Sequence, residues 1–404
     1  SATPAIRPAP PGNPADRPNI VFFLIDDMGW NDTGFSGSEY IETPNTDRLA
    51  EEGVVFTNAY SSAPNCAPTR ACLISGQYPP RHGVYTVVDD RHAPGSPHHK
   101  MIAATSAASM DTGVVTIAEQ LKSGGYATAM FGMWNLGRGN NGPETPLGQG
   151  FDVFLRPQSL GFDKDRYFTD DGEYHTERFT DEAIEFMEGR KDQPFFVYLA
   201  YHAVHSPLEP KPELVDKYEK KGSPNPDYAA TVEAVDQNVG RIRSTLERLG
   251  LAENTVIVFT SDNGGNRRNT TPLRSGKGSL YEGGIRSISF VSSPRYVKGG
   301  RQTKVRVSNV DFAPTIMQLC AVPKHERHAV DVSLPRFGGW WANDPDTRFR
   351  MQLEPEFRPR AHADGWQLSN PSVFAAAPVA ASLELFDRAG MEALRAKSVR
   401  LTGY

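Results

Sequence analysis

Two pairs of oxygen donors close apolar runs in this chain. Asp26 and Asp27 end "NIVFFLIDD", and Asp262 and Asn263 end "TVIVFTSDN". An Asp after a strand is commonly a turn or cap residue. Three carboxylates and an amide oxygen gathered in one place, however, would repel one another without a hard cation. All-oxygen ligation of that kind suits Ca²⁺, with Mg²⁺ as the alternative, better than Zn²⁺. A third segment, "NCAPTRACLISG", sets Cys66, Pro68 and Arg70 in C-x-P-x-R spacing, in a loop entering a helix. The chain has three cysteines, Cys66, Cys72 and Cys320. An odd number leaves at least one thiol free or modified. A buried inert thiol is the ordinary role of an isolated cysteine, so the surroundings of Cys66 must decide what it does.

These residues need a scaffold that brings distant segments to one edge. Apolar runs at Asn19 to Asp27, Ala127 to Asn135, Phe195 to His205, Thr255 to Asn263 and Ser287 to Pro294 are rich in β-branched and aromatic residues. Each ends in polar residues. Such runs predict strands buried on both faces, hence a mostly parallel sheet. Helical patterns lie between them. "TPNTDRLAEEG" has Asn45 and Thr46 as expected capping residues and Gly53 behind, "TIAEQLKSGG" stops at Gly124, and Tyr228 to Leu249 ends before Gly250,. Alternating strands and helices predict an α/β fold with a mostly parallel, doubly wound sheet flanked by helices. Ligands in such folds sit beyond the carboxyl ends of the strands, which is where the polar clusters fall.

The Cys66 segment resembles that of the type I sulfatases of the alkaline-phosphatase superfamily. The likeness extends over about residues 17–323, through "RPNIVFFLIDDMGW", "TPNTDRLAEEGVVFTNAY", "YHAVHSP", "VFTSDNGG" and "PLRSGKGSLYEGGIR" in the family's order. The resemblance implies an alkaline-phosphatase-like fold and hydrolysis of a sulfate ester, on a sulfated carbohydrate or an aryl or other small-molecule sulfate. It implies that maturation machinery converts Cys66 to formylglycine. One hydroxyl of the hydrated aldehyde attacks sulfur, and the second then expels sulfate. By position, Asp26, Asp27, Asp262, Asn263 and the modified Cys66 match the metal ligands, and Arg70 the residue that holds the formylglycine and its partners. His205 matches the group near the leaving oxygen and Lys277 the cation that binds sulfate. His202 and Arg286 are second-tier candidates, since most free-standing basic residues are ordinary surface groups.

The chain departs from the family at one chemical position. The family's G-K-W-H-L-G reads "GMWNLG" here, so Met133 replaces a sulfate-binding Lys and Asn135 a His that contacts the formylglycine hydroxyls. Methionine offers no charge and no donor, and asparagine orients a hydroxyl without taking its proton. Loss of one preorganised donor to a developing oxyanion costs about 2.7–4 kcal/mol. Reduced activity is one consequence. A non-catalytic sulfate-ester binding protein and a phosphate or phosphonate ester hydrolase of the same superfamily are the alternatives.

Composition bounds the rest. At 404 residues with net charge −5, the chain lacks the basic excess of a nucleic-acid or membrane-surface binder. No run approaches the roughly 18 apolar residues of a membrane span. Residues 1–16, Pro- and Ala-rich, read as a flexible leader left by removal of a targeting segment, which predicts a periplasmic or secreted protein. Residues 17–333 read as the sulfatase-like domain. From 334 to 404 the chain instead resembles a fragment of kynureninase, with Trp340, Trp341 and Asn370 at that family's cofactor and substrate region. The fragment lacks the cofactor-bearing lysine, so no pyridoxal-phosphate chemistry is expected of it.

Overall fold

A computed structural model describes residues 17–87, 105–137, 139, 141–163, 166–266 and 270–323. The leader at 1–16 and the tail at 334–404 lie outside the described residues. The strands are β1 (Asn19–Ile25), β2 (Val54–Tyr60), β3 (Ala127–Gly132), β4 (Val153–Leu155), β5 (Phe195–Tyr201), β6 (Thr255–Ser261), β7 (Ser289–Ser292) and β8 (Arg301–Ser308). The α-helices are α1 (Pro44–Glu51), α2 (Cys66–Ser75), α3 (Pro79–His82), α4 (Ile117–Ser123), α5 (His175–Gly189), α6 (Pro212–Lys220), α7 (Pro226–Arg248), α8 (Glu282–Ile285) and α9 (Phe312–Leu319).

The strands form a single sheet in the order β4-β3-β5-β1-β6-β7-β2-β8. Pairing is parallel throughout except where β7 runs against β6 and β2. Every residue of β1 is buried. Its side chains alternate between two cores: Val21, Phe23 and Ile25 pack with residues of α5 and α7, and Ile20, Phe22 and Leu24 with residues of α2, α4 and α9. That two-sided burial is why the central strands read as continuous apolar runs.

All five expected strands are present. The run at Ser287 to Pro294 supplies the short antiparallel β7. The strands β2, β4 and β8 were not anticipated, because none of them is a long run buried on both faces. β4 is three residues long, β2 is only partly buried, and β8 is an exposed edge strand bearing Arg301, Lys304 and Arg306, a composition that discourages further pairing.

The helix at "TPNTDRLAEEG" starts earlier than expected. Pro44 is its first residue and Thr43 precedes it, so Asn45 and Thr46 lie inside the helix instead of capping it. Proline fits a first helical position. The amides of Asn45 and Thr46, left without intrahelical acceptors, donate to Asp236 on α7 at 3.2 and 2.7 Å. α4 is capped reciprocally by Thr116 and Glu119 and stops at Gly124, and α7 is followed by Gly250 at φ 71°, both as the sequence predicts. The three cysteines are unpaired and buried. Among the described residues no helix is long and apolar enough to cross a membrane.

Candidate active site

Because β4, β3, β5, β1 and β6 are neighbours and parallel, their carboxyl ends open on one edge. The polar residues of the sequence follow those ends directly: Asp26 and Asp27 after β1, Asp262 and Asn263 after β6, His202 and His205 after β5, and Met133 and Asn135 after β3.

Backbone bonds lock the loops together. The Val204 amide donates to the Asp26 carbonyl at 2.8 Å and the Asp26 amide to the Ala203 carbonyl at 3.2 Å, which ties the histidine loop to the first aspartates. Lys277 N–H donates to Gly265 O and Gly278 N–H to Pro64 O, at 2.8 and 2.9 Å, so the lysine loop bridges the Asp262 and Cys66 segments. Gly265, at φ 89°, lies against the backbone of Gly29, where an added Cβ would approach the Gly29 Cα to 2.6 Å. Only glycine permits that approach. Asp27 itself has φ 65°, an uncommon left-handed conformation for a residue with a side chain.

Cys66 is the first residue of α2, with Asn65 at the N-cap position. One turn on, the buried Arg70 donates to Asp26 and Asp262 and also to the Met133 carbonyl. Lys277 Nζ lies 2.7 and 2.8 Å from the two carboxylate oxygens of Asp27, and His205 Nε2 lies 3.8 Å from Asp27 Oδ2. Ligand atoms of Asp26, Cys66 and Asp262 all fall within 4.8 Å of one another, as do those of Asp26, Asp27 and His205. Asn263 presents Nδ2 to Asp27 and Asp262 at 2.6 and 2.8 Å, while its Oδ1 accepts from the Gly265 amide. A cation among these carboxylates would favour the reverse orientation, since oxygen is the ligating end of an amide.

The electrostatics follow from crowding. Burial, then the Asp262 and Asp27 carboxylates, raise the Asp26 carboxyl well above its ordinary range despite Arg70. Burial raises Asp27 as well, yet Lys277 and His205 hold it below that range. Burial with Asp26 and Asp262 pushes the Cys66 thiol up to about 12, so the unmodified side chain is a poor nucleophile near neutrality. Oδ1 of Asp26 is buried without a hydrogen-bond partner. An orphaned, acid-rich oxygen beside two further carboxylates fits a divalent cation.

Of the residues singled out in the sequence, Cys66, Arg70, Asp26, Asp27, Asp262, Asn263, Lys277 and His205 are thus brought together. Asn135 is not joined to them by any hydrogen bond among the described residues. It is half-buried, with φ 60°, a left-handed conformation that asparagine tolerates. Arg286 makes its contacts elsewhere, with Glu282, Tyr60 and Thr57. His202 packs behind His205, ring centroids 5.1 Å apart, and next to buried His175 at 5.7 Å.

Two neighbours were missed by the sequence reading. The Tyr167 hydroxyl donates to the His205 carbonyl at 2.6 Å; no motif marks it. Arg156 follows β4, and the rule that ligands sit beyond strand ends would have drawn attention to it had so short a strand been recognised.

Comparison with known proteins gives the family. The sulfatase family model matches residues 18–322. A sulfatase of Formosa agariphila is 31% identical over 378 residues, spanning 75% of this chain and 68% of that protein. Arylsulfatase J of Mus musculus is 32% identical, spanning 75% of this chain and 52% of its own length. The chain therefore spans between about half and two thirds of these relatives. Among solved structures, Ps i-CgsB in complex with k-i-k-neocarrahexaose superposes with TM-score 0.65 at 31% identity, covering 77% of this chain and 74% of that one.

Proposed function

Since the chain belongs to the sulfatase family, we propose that it hydrolyses a sulfate ester of a carbohydrate, using formylglycine made from Cys66 and a divalent cation, Ca²⁺ in preference to Mg²⁺. The observation that carries this reading is the convergence of Cys66 Sγ with the carboxylates of Asp26 and Asp262 at the start of α2. A thiol raised to about 12 in that setting is unsuited to act as a thiolate, which favours a modified side chain as the reacting group. The carbohydrate class rests on Ps i-CgsB, whose structure holds a neocarrahexaose. Export to the periplasm or beyond is part of the same proposal.

Formylglycine would supply the attacking hydroxyl, and a cation held by Asp26, Asp27, Asp262, Asn263 and residue 66 would neutralise the crowded negative charge. This chain's own side chains do the rest. Arg70 holds Asp26 and Asp262 side by side. Lys277 keeps its proton firmly, because nearby Asp27 and Asp26 outweigh the opposing effect of burial, so it meets the sulfate oxygens as a cation. Half-buried His205, beside Asp27, would give a proton to the leaving oxygen, the role a positioned imidazole performs in general acid catalysis.

A second reading is favoured by Met133 and Asn135: a protein that binds sulfate esters without turning them over. Turnover of an activated aryl sulfate, compared with its phosphate analogue and repeated with a chelator, separates the cases. Sulfate-selective, chelator-sensitive release of the phenol supports the hydrolase. Phosphate preference supports a phosphoesterase, and tight sulfate-ester binding without release supports the binding protein.

A further inference from the structure

The carboxyl ends of β3 and β4 enclose a pocket lined by none of the residues clustered around Cys66. Gly132, Met133, Trp134, Asn135, Phe154 and Arg156 are among the residues that line it, with Gln158 at its rim. Met133 joins it to the active site, because the Met133 carbonyl accepts from Arg70. Gly132 makes the turn into the pocket. It has φ 115°, and a Cβ there would meet the Ala200 carbonyl oxygen.

Arg156 is the charged residue among the lining residues described. Its side chain makes no hydrogen bond or ion pair to any described residue, and its Nε is buried without a partner. Buried donors normally have partners, and leaving one unsatisfied is costly. A guanidinium edge with free donors matches a planar or tetrahedral oxyanion. The amides of Asn135 and Gln158 add hydrogen-bonding capacity beside it, while Trp134 and Phe154, both buried in the core, contribute to its lining.

We propose that this pocket binds a second oxyanion of the substrate, a sulfate or carboxylate on the sugar next to the ester being cleaved, and that Arg156 determines that preference. The proposal rests on the sulfate-ester reading and narrows it to polyanionic carbohydrates. Replacement of the family's lysine by Met133 fits this assignment. It removes a competing cation from the mouth of the pocket and leaves Arg156 as the positive charge among the described lining residues.

The test is a binding measurement on the full calcium-loaded protein, so that it does not depend on turnover. Calorimetric titration would compare three disaccharides of one backbone: one monosulfated, one with an added sulfate and one with an added carboxylate. The wild type should prefer one of the doubly anionic ligands over the monosulfated one, and which of them identifies the oxyanion. Arg156→Gln should reduce that preference by about tenfold or more, the size of a charge-assisted hydrogen-bond pair, and Arg156→Lys should retain part of it. No preference in the wild type, or an unchanged preference in Arg156→Gln, overturns the proposal. So does an equal weakening of all three ligands, which would assign Arg156 to the reacting sulfate or to folding. Aryl sulfate turnover, assayed separately on the wild type, tests the hydrolase reading. Its absence would defeat that reading without altering the binding comparison.

Discussion

Nε and Nη2 of Arg70 both donate to Oδ2 of Asp262, at 3.0 and 2.9 Å, and Nη2 also reaches Asp26 at 3.0 Å. One guanidinium thus holds two buried carboxylates that arrive from different strands. Arg70→Met would leave them facing each other without their common partner. Removing one member of a buried ion pair costs about 3–5 kcal/mol, and denaturant unfolding of the metal-free protein should show a loss in that range. A loss below about 1 kcal/mol, the size of an exposed pair, would mean that Arg70 is not what balances the charge.

The Tyr167 hydroxyl fixes the carbonyl of His205, the residue assigned to the leaving oxygen. Tyr167→Phe should therefore slow hydrolysis of alkyl sulfates, which need a proton donor, by about tenfold more than that of nitrophenyl sulfates, which do not. Equal losses on both substrates would reduce Tyr167 to a packing residue.

Behind His205, two histidines are kept neutral. Burial, followed by the neighbouring His205, brings His202 down to about 3, and burial with His202 lowers His175 well below its ordinary value. Below about pH 6.5 the unfolded chain takes up protons at these positions and the folded chain does not, so stability falls with decreasing pH. Each histidine contributes up to about 1.4 kcal/mol per pH unit in that window. In His175→Phe the dependence of unfolding free energy on pH between about 6.5 and 4 should be shallower by roughly one such increment. An unchanged slope would show that His175 takes up its proton in the native state.

Met133 and Asn135 divide the hydrolase from the binding protein. Met133→Lys restores a cation and Asn135→His a proton acceptor, both of which act on the transition state. The double variant should raise kcat on an activated aryl sulfate by a factor on the order of 10². Affinity for inorganic sulfate should change less. A gain in binding alone would confine these positions to the ground state.

The strands that carry the site were legible because burial on both faces writes itself as continuous apolar sequence, as in β1 and β6. The Asp26–Asp27 and Asp262–Asn263 pairs were legible because they end those runs, and Cys66 with Arg70 because the motif is local. What the sequence left obscure depends on partners far along the chain. The start of α1 is completed by Asp236, some 190 residues away. Tyr167 acts through a backbone carbonyl, which no residue pattern records. Arg156 follows a strand too short to stand out, and whether Asn135 hydrogen-bonds to the cluster is a matter of geometry that its place in "GMWNLG" does not reveal.

Cys66 is proposed as the precursor of the reacting group, and the mass of the peptide that contains it is the decisive measurement. The protein should be produced in cells that possess formylglycine-generating machinery, digested without alkylation, and analysed alongside an aryl sulfate assay of the same preparation. The expected peptide is lighter by the difference between a thiol-bearing methylene and an aldehyde, with turnover in proportion to the converted fraction. Turnover by protein in which Cys66 is wholly unmodified would contradict the proposal.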